Sequence, residues 1–395
     1  MPLSGLRVVD LTRIIAGPFC TQLLADMGAE VIKVEKPGKG DPTRKQGAVV
    51  DGLSYYFAQF NRNKKSITAD LYSDDGKAIL AKLIESADVL LENYRPGVLA
   101  KMGFDEDRLK ALNPDLVVGS INGYGSTGPY VDRPAFDFIG QAMSGFMSIN
   151  GPPDGDPLRA GPPISDLFAG LYSAFGIVTA LVGRNAKGGI TQGQRVEASL
   201  SNSLISILAY FSAHYFATGE QPSRTGNDHP IVYPYGLFHA QDGMIAVAPS
   251  NDVFVVRFME VLGLVDLLER PEFATNQHRL NHREKLRPLI DRETSKAPVD
   301  HWIECLNKAR VPCGRVMTLP EVFSDPQVLA QDMVLEIDRA DHDPVRVTGF
   351  PVKLSKTPAK LRRPPPALGE HTESILTELG YSRDQIEHFY YAGVI

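Results

Sequence analysis

Asp166 stands in Gly161-Pro162-Pro163-Ile164-Ser165-Asp166-Leu167, where a Pro-rich loop meets an apolar run, Leu167 to Gly183, that holds no Asp, Glu, Lys or Arg. A carboxylate at the start of a helix is held ionised by the dipole and the free N–H groups, and in a water-poor pocket it is a nucleophile. The same position suits an N-cap. A second group, Lys33, Lys36, Lys39 and Arg44, is interleaved with Gly38 and Gly40 at and just after an apolar strand. Cations beside close-approaching backbone suit the phosphates of a nucleotide-like ligand, or else form a solvated loop. His278 and His282 lie four apart, but without an HExxH context they read as part of a solvated basic helix, and no metal site is expected.

These residues need elements to position them. Leu6–Leu11, Val31–Val34, Val89–Glu92 and Leu116–Ile121 read as strands, with helical patterns at Phe19–Met27 and from Asp74 to about Ser86. That alternation predicts βαβ units, a parallel sheet and an α/β fold. Ligands of open parallel sheets lie beyond the carboxyl ends of the strands. The segments to watch are therefore Thr12–Pro18, Glu35–Arg44, Asn93–Gly97 and Asn122–Pro129. A Gly- and Pro-rich stretch runs from Ile121 to Pro163, and Leu167–Gly183 and Ala198–Gly219 read as buried helices rather than membrane spans. An apparent strand pair, Tyr235–Phe238 and Met244–Ala248, then opens a smaller α+β domain. The expected division is 1–220, 221–330 and 331–395, the last segment returning to the first domain.

The composition narrows the function. Of 395 residues, 43% are hydrophobic and 22% charged, the balance of a globular protein. A net charge of −6 offers no global field for a polyanion, so nucleic acid is not an expected partner, nor is a membrane. Three scattered cysteines, Cys20, Cys305 and Cys313, fit neither a disulfide framework nor a zinc site, and no export signal is evident; a cytoplasmic setting is expected. No GxGxxG opens a helix after the first strand, and GxxxxGK[ST] and GxSxG are missing, which disfavours nicotinamide, P-loop and serine-hydrolase chemistry.

The chain also resembles the family III CoA-transferases, the CaiB/BaiF group. The residues that carry the likeness are Asp10-Leu11-Thr12-Arg13 with Ala16-Gly17-Pro18, Gly28 to Glu35, Gly40-Asp41-Pro42-Thr43-Arg44, Asn61 to Ser66, Glu92 to Gly97, and Gly123-Tyr124-Gly125 through Gly128-Pro129. The resemblance implies a Rossmann-like large domain built from both chain ends, a smaller domain, and an interlocked homodimer. It makes Asp166 the catalytic nucleophile. It carries coenzyme A contacts onto Ile14, Ile15, Ala16, Lys36, Arg44, Asn93, Tyr94, Lys101, Asn122 and Tyr124, and places Tyr56 near the active site. Where the family has an adenine-side lysine this chain has Tyr72.

Racemases of the fold pair their aspartate with a histidine in Gly-His-Asp, whereas the stretch here is Ala135-Phe136-Asp137, and phenylalanine carries no proton. The loop Gly226 to Tyr235 is similar to that of transferases acting on succinyl-CoA and other dicarboxylyl groups. It offers His229 and Tyr235 to the acyl group, while Arg133, Arg159 or Arg224 is available for a distal carboxylate. The expected reaction moves CoA from an acyl-CoA, such as succinyl-CoA, to a carboxylic acid through covalent intermediates on Asp166, with no tightly bound cofactor. The rivals are an acyl-CoA racemase or isomerase and a noncatalytic acyl-CoA binding protein.

Overall fold

The computed structural model describes residues 1–186, 188–190, 192–339 and 342–395. Six strands, β1 (Arg7–Asp10), β2 (Glu30–Glu35), β3 (Lys64–Thr68), β4 (Val89–Glu92), β5 (Val117–Asn122) and β6 (Arg195–Ser199), make one sheet in the order β3-β2-β1-β4-β5-β6. Every neighbouring pair is parallel; Val9, for instance, lies between Ile32 and Leu90. The chain steps outward from β1 in one direction, then returns to its other side. The switch between β1 and β4 opens a crevice at their carboxyl ends, where such sheets bind ligands.

The helices bearing on that crevice are α1 (Ala16–Asp26), α2 (Tyr55–Asn61), α3 (Asp74–Glu85), α4 (Val98–Lys101), α5 (Asp137–Met143), α6 (Ile164–Asn185) and α7 (Leu200–Ser206). A parallel sheet is buried on both faces, and successive residues of a strand serve opposite ones. Val8, Val31, Val89 and Val117 pack with Leu24 of α1 and Ile177 of α6. Val9, Ile32, Leu90 and Val118 pack with Ile79 and Leu83 of α3. Both chain ends supply this second layer: helices Thr372–Glu378 and Arg383–Tyr391 add Ile375, Leu376 and Phe389. Backbone bonds tie them to β3 and the turn that follows it, with His371 N donating to Ser66 O at 2.9 Å and Asp70 N to Val394 O at 2.7 Å.

The chain divides into two compact units. One comprises Met1–Phe146, Ala160–Leu208 and Pro326–Ile395; the other Met147–Arg159 and Ala209–Asp325. The changeovers thus fall at 208/209 and 325/326 rather than 220 and 330, and residues 147–159 go with the second unit. That unit holds a three-stranded antiparallel sheet of Gly236–Ala240, Gly243–Val247 and Cys313–Arg315. Its core contains Phe238, Ile245, Phe258, Leu286, Ile290 and Trp302.

Two expectations need correction. Ala198–Gly219 is not one buried helix. It is the end of β6, then α7, then a helix Tyr210–Thr218 without a buried residue, separated at Ala209 by a left-handed φ of 50°. β3 went unread because its sequence, Lys-Lys-Ser-Ile-Thr, is polar. Lys64 is nonetheless fully buried, its Nζ donating to Asn61 Oδ1 at 2.9 Å and Pro18 O at 3.0 Å, with Asp10 at 3.3 Å. A buried charge in a strand is tolerable only when so paired.

The helix α6 is long and apolar enough to cross a membrane by length and composition. Its Ala169, Ser173, Ile177 and Ala180 are buried, while Leu171, Phe175 and Val182 are exposed. Gly170 lets it approach α1: a Cβ there would lie 2.5 Å from Ala16 O.

Candidate active site

The crevice begins with a buried ionic scaffold. Asp10, at the end of β1, accepts from Thr12 N at 2.9 Å and Thr21 Oγ1 at 2.7 Å. Burial pushes its carboxyl up, but Lys64 and Lys33 with the Thr12 and Thr21 hydroxyls outweigh it and hold it below the usual carboxylate range. Lys33 Nζ, fully buried, donates to Thr12 O at 2.7 Å and pairs with Asp41 at 3.0 Å. Asp41 in turn accepts Ile14 N, at 3.3 Å from each oxygen. Ile14 has a φ of 73°, unfavourable for a β-branched residue, and this bond helps hold it.

Across the switch point, Arg13 N donates to Asn93 Oδ1 at 3.0 Å while Asn93 Nδ2 donates to Arg13 O at 2.8 Å. The loops after β1 and β4 are thereby clamped together. Beyond them lies a cavity of about 710 Å³, lined by Arg13–Ala16, Val34–Lys36, Ala69–Tyr72, Asn93–Pro96, Asn122–Tyr124, Val131–Phe136 and Asp166, together with Val98, Met102, Ile121 and Leu200. Four exposed cations, Arg13, Lys36, Arg95 and Arg133, face this one space in a chain whose net charge is negative. Such a wall suits a polyanionic ligand with phosphate groups.

Of the residues expected at the site, Ile14, Ile15, Ala16, Lys36, Asn93, Tyr94, Asn122, Tyr124 and Asp166 line the cavity. Lys101 is exposed on α4 outside the lining, though Val98 and Met102 contribute. Arg44 also lies outside it. Its guanidinium is bidentate on Glu35 at 2.8 and 2.6 Å, donates to Pro366 O at 3.0 Å and stacks 3.8 Å from the Phe57 ring centroid. Burial pushes the Glu35 carboxyl up, and Arg44 and Lys33 more than reverse it. Arg159, His229, Tyr235 and Arg224 belong to the second unit. There Arg224 donates to Pro152 O and Gly155 O at 3.2 and 2.5 Å. His229 Nδ1 lies 3.2 Å from the amides of Ile231 and Val232, so Nε2 carries the proton, and burial lowers the ring's pKa.

Sequence reasoning missed Arg13 and Arg95 as individual contacts, although both sit directly after strands that were read. It reached the wall at Ala69–Tyr72 only at Tyr72, through the resemblance, because β3 was not read. In the glycine-rich segment, Gly125 N is already taken by Asn122 Oδ1 at 2.5 Å and Ser126 N by Glu197 Oε1 at 2.6 Å.

Asp166 is the third residue of α6, whose N-cap is Pro163. It is therefore not the cap, and among the described residues its carboxylate has no hydrogen-bond or ion-pair partner. Burial first, and the nearby Asp137 carboxylate second, push its pKa up to about 7. Tyr56 of α2 is close enough that, after burial, the Asp166 and Asp41 charges help raise its phenol to about 12. A half-buried, unpartnered carboxylate facing a large cationic cavity is equipped for nucleophilic attack on a bound acyl group.

Comparison with known proteins places this arrangement. The pattern of CoA-transferase family III matches residues 3–372. The chain is 40% identical to a succinate–glutarate CoA-transferase of Agrobacterium fabrum over 386 residues, 96% of each protein. It is 36% identical to the human succinyl-CoA:glutarate CoA-transferase, covering 100% of this chain and 90% of that one. A crystal structure of a CaiB/BaiF family protein from Brucella suis superposes with a TM-score of 0.86 at 38% identity, covering 96% and 99% of the two chains. With the family pattern running through every loop that walls the cavity, the chain belongs to the family III CoA-transferases.

Proposed function

We propose that this enzyme moves CoA between dicarboxylic acids, with succinyl-CoA or a similar dicarboxylyl-CoA as donor and Asp166 as the covalent nucleophile. The observation that carries the reading is the unpartnered Asp166 carboxylate on the wall of the cationic cavity. The Asp166 carboxylate attacks the donor thioester carbonyl, and CoA leaves as thiolate, giving an acyl-aspartyl anhydride. The thiolate attacks the aspartyl carbonyl, releasing the donor acid and leaving an aspartyl-CoA thioester. The acceptor carboxylate attacks that thioester, again expelling the thiolate. The thiolate then takes the acyl group from the second anhydride, and Asp166 is regenerated.

Relatives at 36 to 40% identity are named for succinate or succinyl-CoA paired with glutarate, D-citramalate or mesaconate, which supports the dicarboxylate reading. Of the arginines considered for a distal carboxylate, Arg133 is the one that lines the Asp166 cavity. Its guanidinium lies 3.8 Å from the Tyr130 ring centroid, and that ring stacks edge-on with Tyr124 at 5.6 Å.

The exposed apolar residues of α5 and α6, among them Phe138, Met143, Leu171, Phe175 and Val182, form the face we assign to a second copy of the chain in a homodimer.

The test is incubation with succinyl-CoA and a panel of mono- and dicarboxylic acids, reading new thioesters by mass. The parent enzyme should convert dicarboxylates. Asp166→Ala should convert none, and Arg133→Ala should raise the KM for dicarboxylates roughly tenfold or more, with a smaller effect on CoA binding because Arg13, Lys36 and Arg95 remain for the phosphates. Turnover by Asp166→Ala would refute the covalent reading. Equal loss by Arg133→Ala for mono- and dicarboxylates would refute the assignment of Arg133.

A further inference from the structure

The helix that presents Asp166 begins without a cap of its own. Pro163 occupies the N-cap and supplies no side-chain acceptor, so the first amides of α6 depend on partners elsewhere. One partner comes from a different helix. Asp137, in the first turn of α5, accepts Ser165 N and Ser165 Oγ on Oδ1, both at 2.9 Å. Its Oδ2 accepts Gln141 Nε2 at 2.8 Å, and Gln141 Oε1 accepts Ala160 N at 2.8 Å in the loop that leads into α6. Ser165 and Gln141 are both fully buried. The two helix starts meet closely, since a Cβ on Gly140 would fall 2.7 Å from Ser165 Oγ.

We propose that Asp137 is the positioning residue for Asp166, a carboxylate lent by α5 that caps α6 through Ser165, fixes the aim of the next side chain and holds a second negative charge beside it. This rests on Asp166 being the nucleophile. The charge has a definite purpose in the reaction. A carboxylate that is stable as an anion attacks a thioester poorly, and a neighbouring anion makes it more basic.

The other groups around Asp166 do not duplicate the role. Tyr56 faces it from α2, and Arg13, Lys36, Arg95 and Arg133 line the same cavity. The helix α7 carries no titratable side chain, and in α1 the only ones are Cys20, buried near Asp10, and Asp26, committed to Arg62.

The test compares pH profiles of kcat/KM for the acyl-CoA donor in the parent, Asp137→Asn and Ser165→Ala. Asp166 must be ionised to attack, so activity falls as pH drops through its pKa. Removing the neighbouring charge lowers that pKa, and the acid limb of Asp137→Asn should move down by roughly half to one pH unit. Its activity at pH 5.5, relative to its own plateau, should rise about threefold or more. Ser165→Ala leaves both carboxylates and removes one hydroxyl donor, so its limb should stay while its plateau kcat falls several-fold.

A folded Asp137→Asn enzyme with an unmoved limb overturns the proposal. If that variant does not fold, an unchanged kcat in Ser165→Ala overturns it. Asp166→Ala is assayed alongside: turnover there would remove the nucleophile and this inference with it, whereas an inactive Asp166→Ala beside an unmoved limb would remove this inference alone.

Discussion

At the scale of the residue, the cost of burying Asp166 beside Asp137 is visible in its ionisation. Its carboxyl titrates near 7 in the folded chain, pushed up by burial and by Asp137, against about 4 in an unfolded one. Between those values the folded state holds a proton that the unfolded state gives up. Stability therefore declines as pH rises from about 4 to 7, and the deficit persists above that. Asp166→Asn removes it. Thermal melting should place this variant about 1 to 3 °C above the parent at pH 8, with the gap closing by pH 4 to 5. Equal melting of the two proteins at pH 8 would contradict the raised pKa. The local pattern around Asp166, a lone carboxylate before an uncharged apolar run, marks a helix start equally well as a cap or as a nucleophile, and the family resemblance is what singles it out. Asp137 was not legible as its support. Its partner Ser165 lies 28 positions away, and only the packing of two helices joins them.

At the scale of the element, the strands β1, β2, β4 and β5 could be read from apolar runs, and the segments following them do line the cavity. β3 could not, because it is polar and the burial of Lys64 depends on Asp10 and Pro18, distant in sequence, as well as on nearby Asn61. The Arg44 guanidinium shows the same limit: spacing cannot distinguish a phosphate ligand from an arginine locked on Glu35 and Phe57. The close crossing of α1 and α6 offers a sharp prediction. Gly170→Val places carbon against Ala16 O and should destabilise the fold by about 1–3 kcal/mol by overpacking. It should also weaken acyl-CoA binding, since Ala16 lines the cavity. Gly183, on the same helix, has open space where a Cβ would stand, and Gly183→Ala should be neutral or stabilising by roughly 0.5–1 kcal/mol. Denaturant melts and donor KM values for the pair decide this; similar losses in both would refute the close-approach account.

At the scale of the whole molecule, residues 147–159 group with the second unit, and a short Pro-rich stretch carries no pattern naming its packing partner. The apolar face of the first unit invites a direct experiment. Phe175 is 71% exposed and Val182 64% exposed on α6, at positions seven apart on one side of the helix. Phe175→Arg should convert the proposed dimer into monomers in sedimentation velocity, with activity falling at the same protein concentrations. A parent protein that sediments as a monomer would refute the homodimer.

The strand β3 and the turn after it are bonded by residues that come some three hundred positions later, at His371 and Val394. During synthesis the nascent sheet must therefore wait, at about 5–20 residues per second, for tens of seconds before that layer emerges from the ribosome. Over that interval α3, made directly after β3, is the cover on this face of the sheet. Among the described residues, the crevice itself takes no lining residue from beyond Leu200, so its walls are synthesised well before that layer emerges.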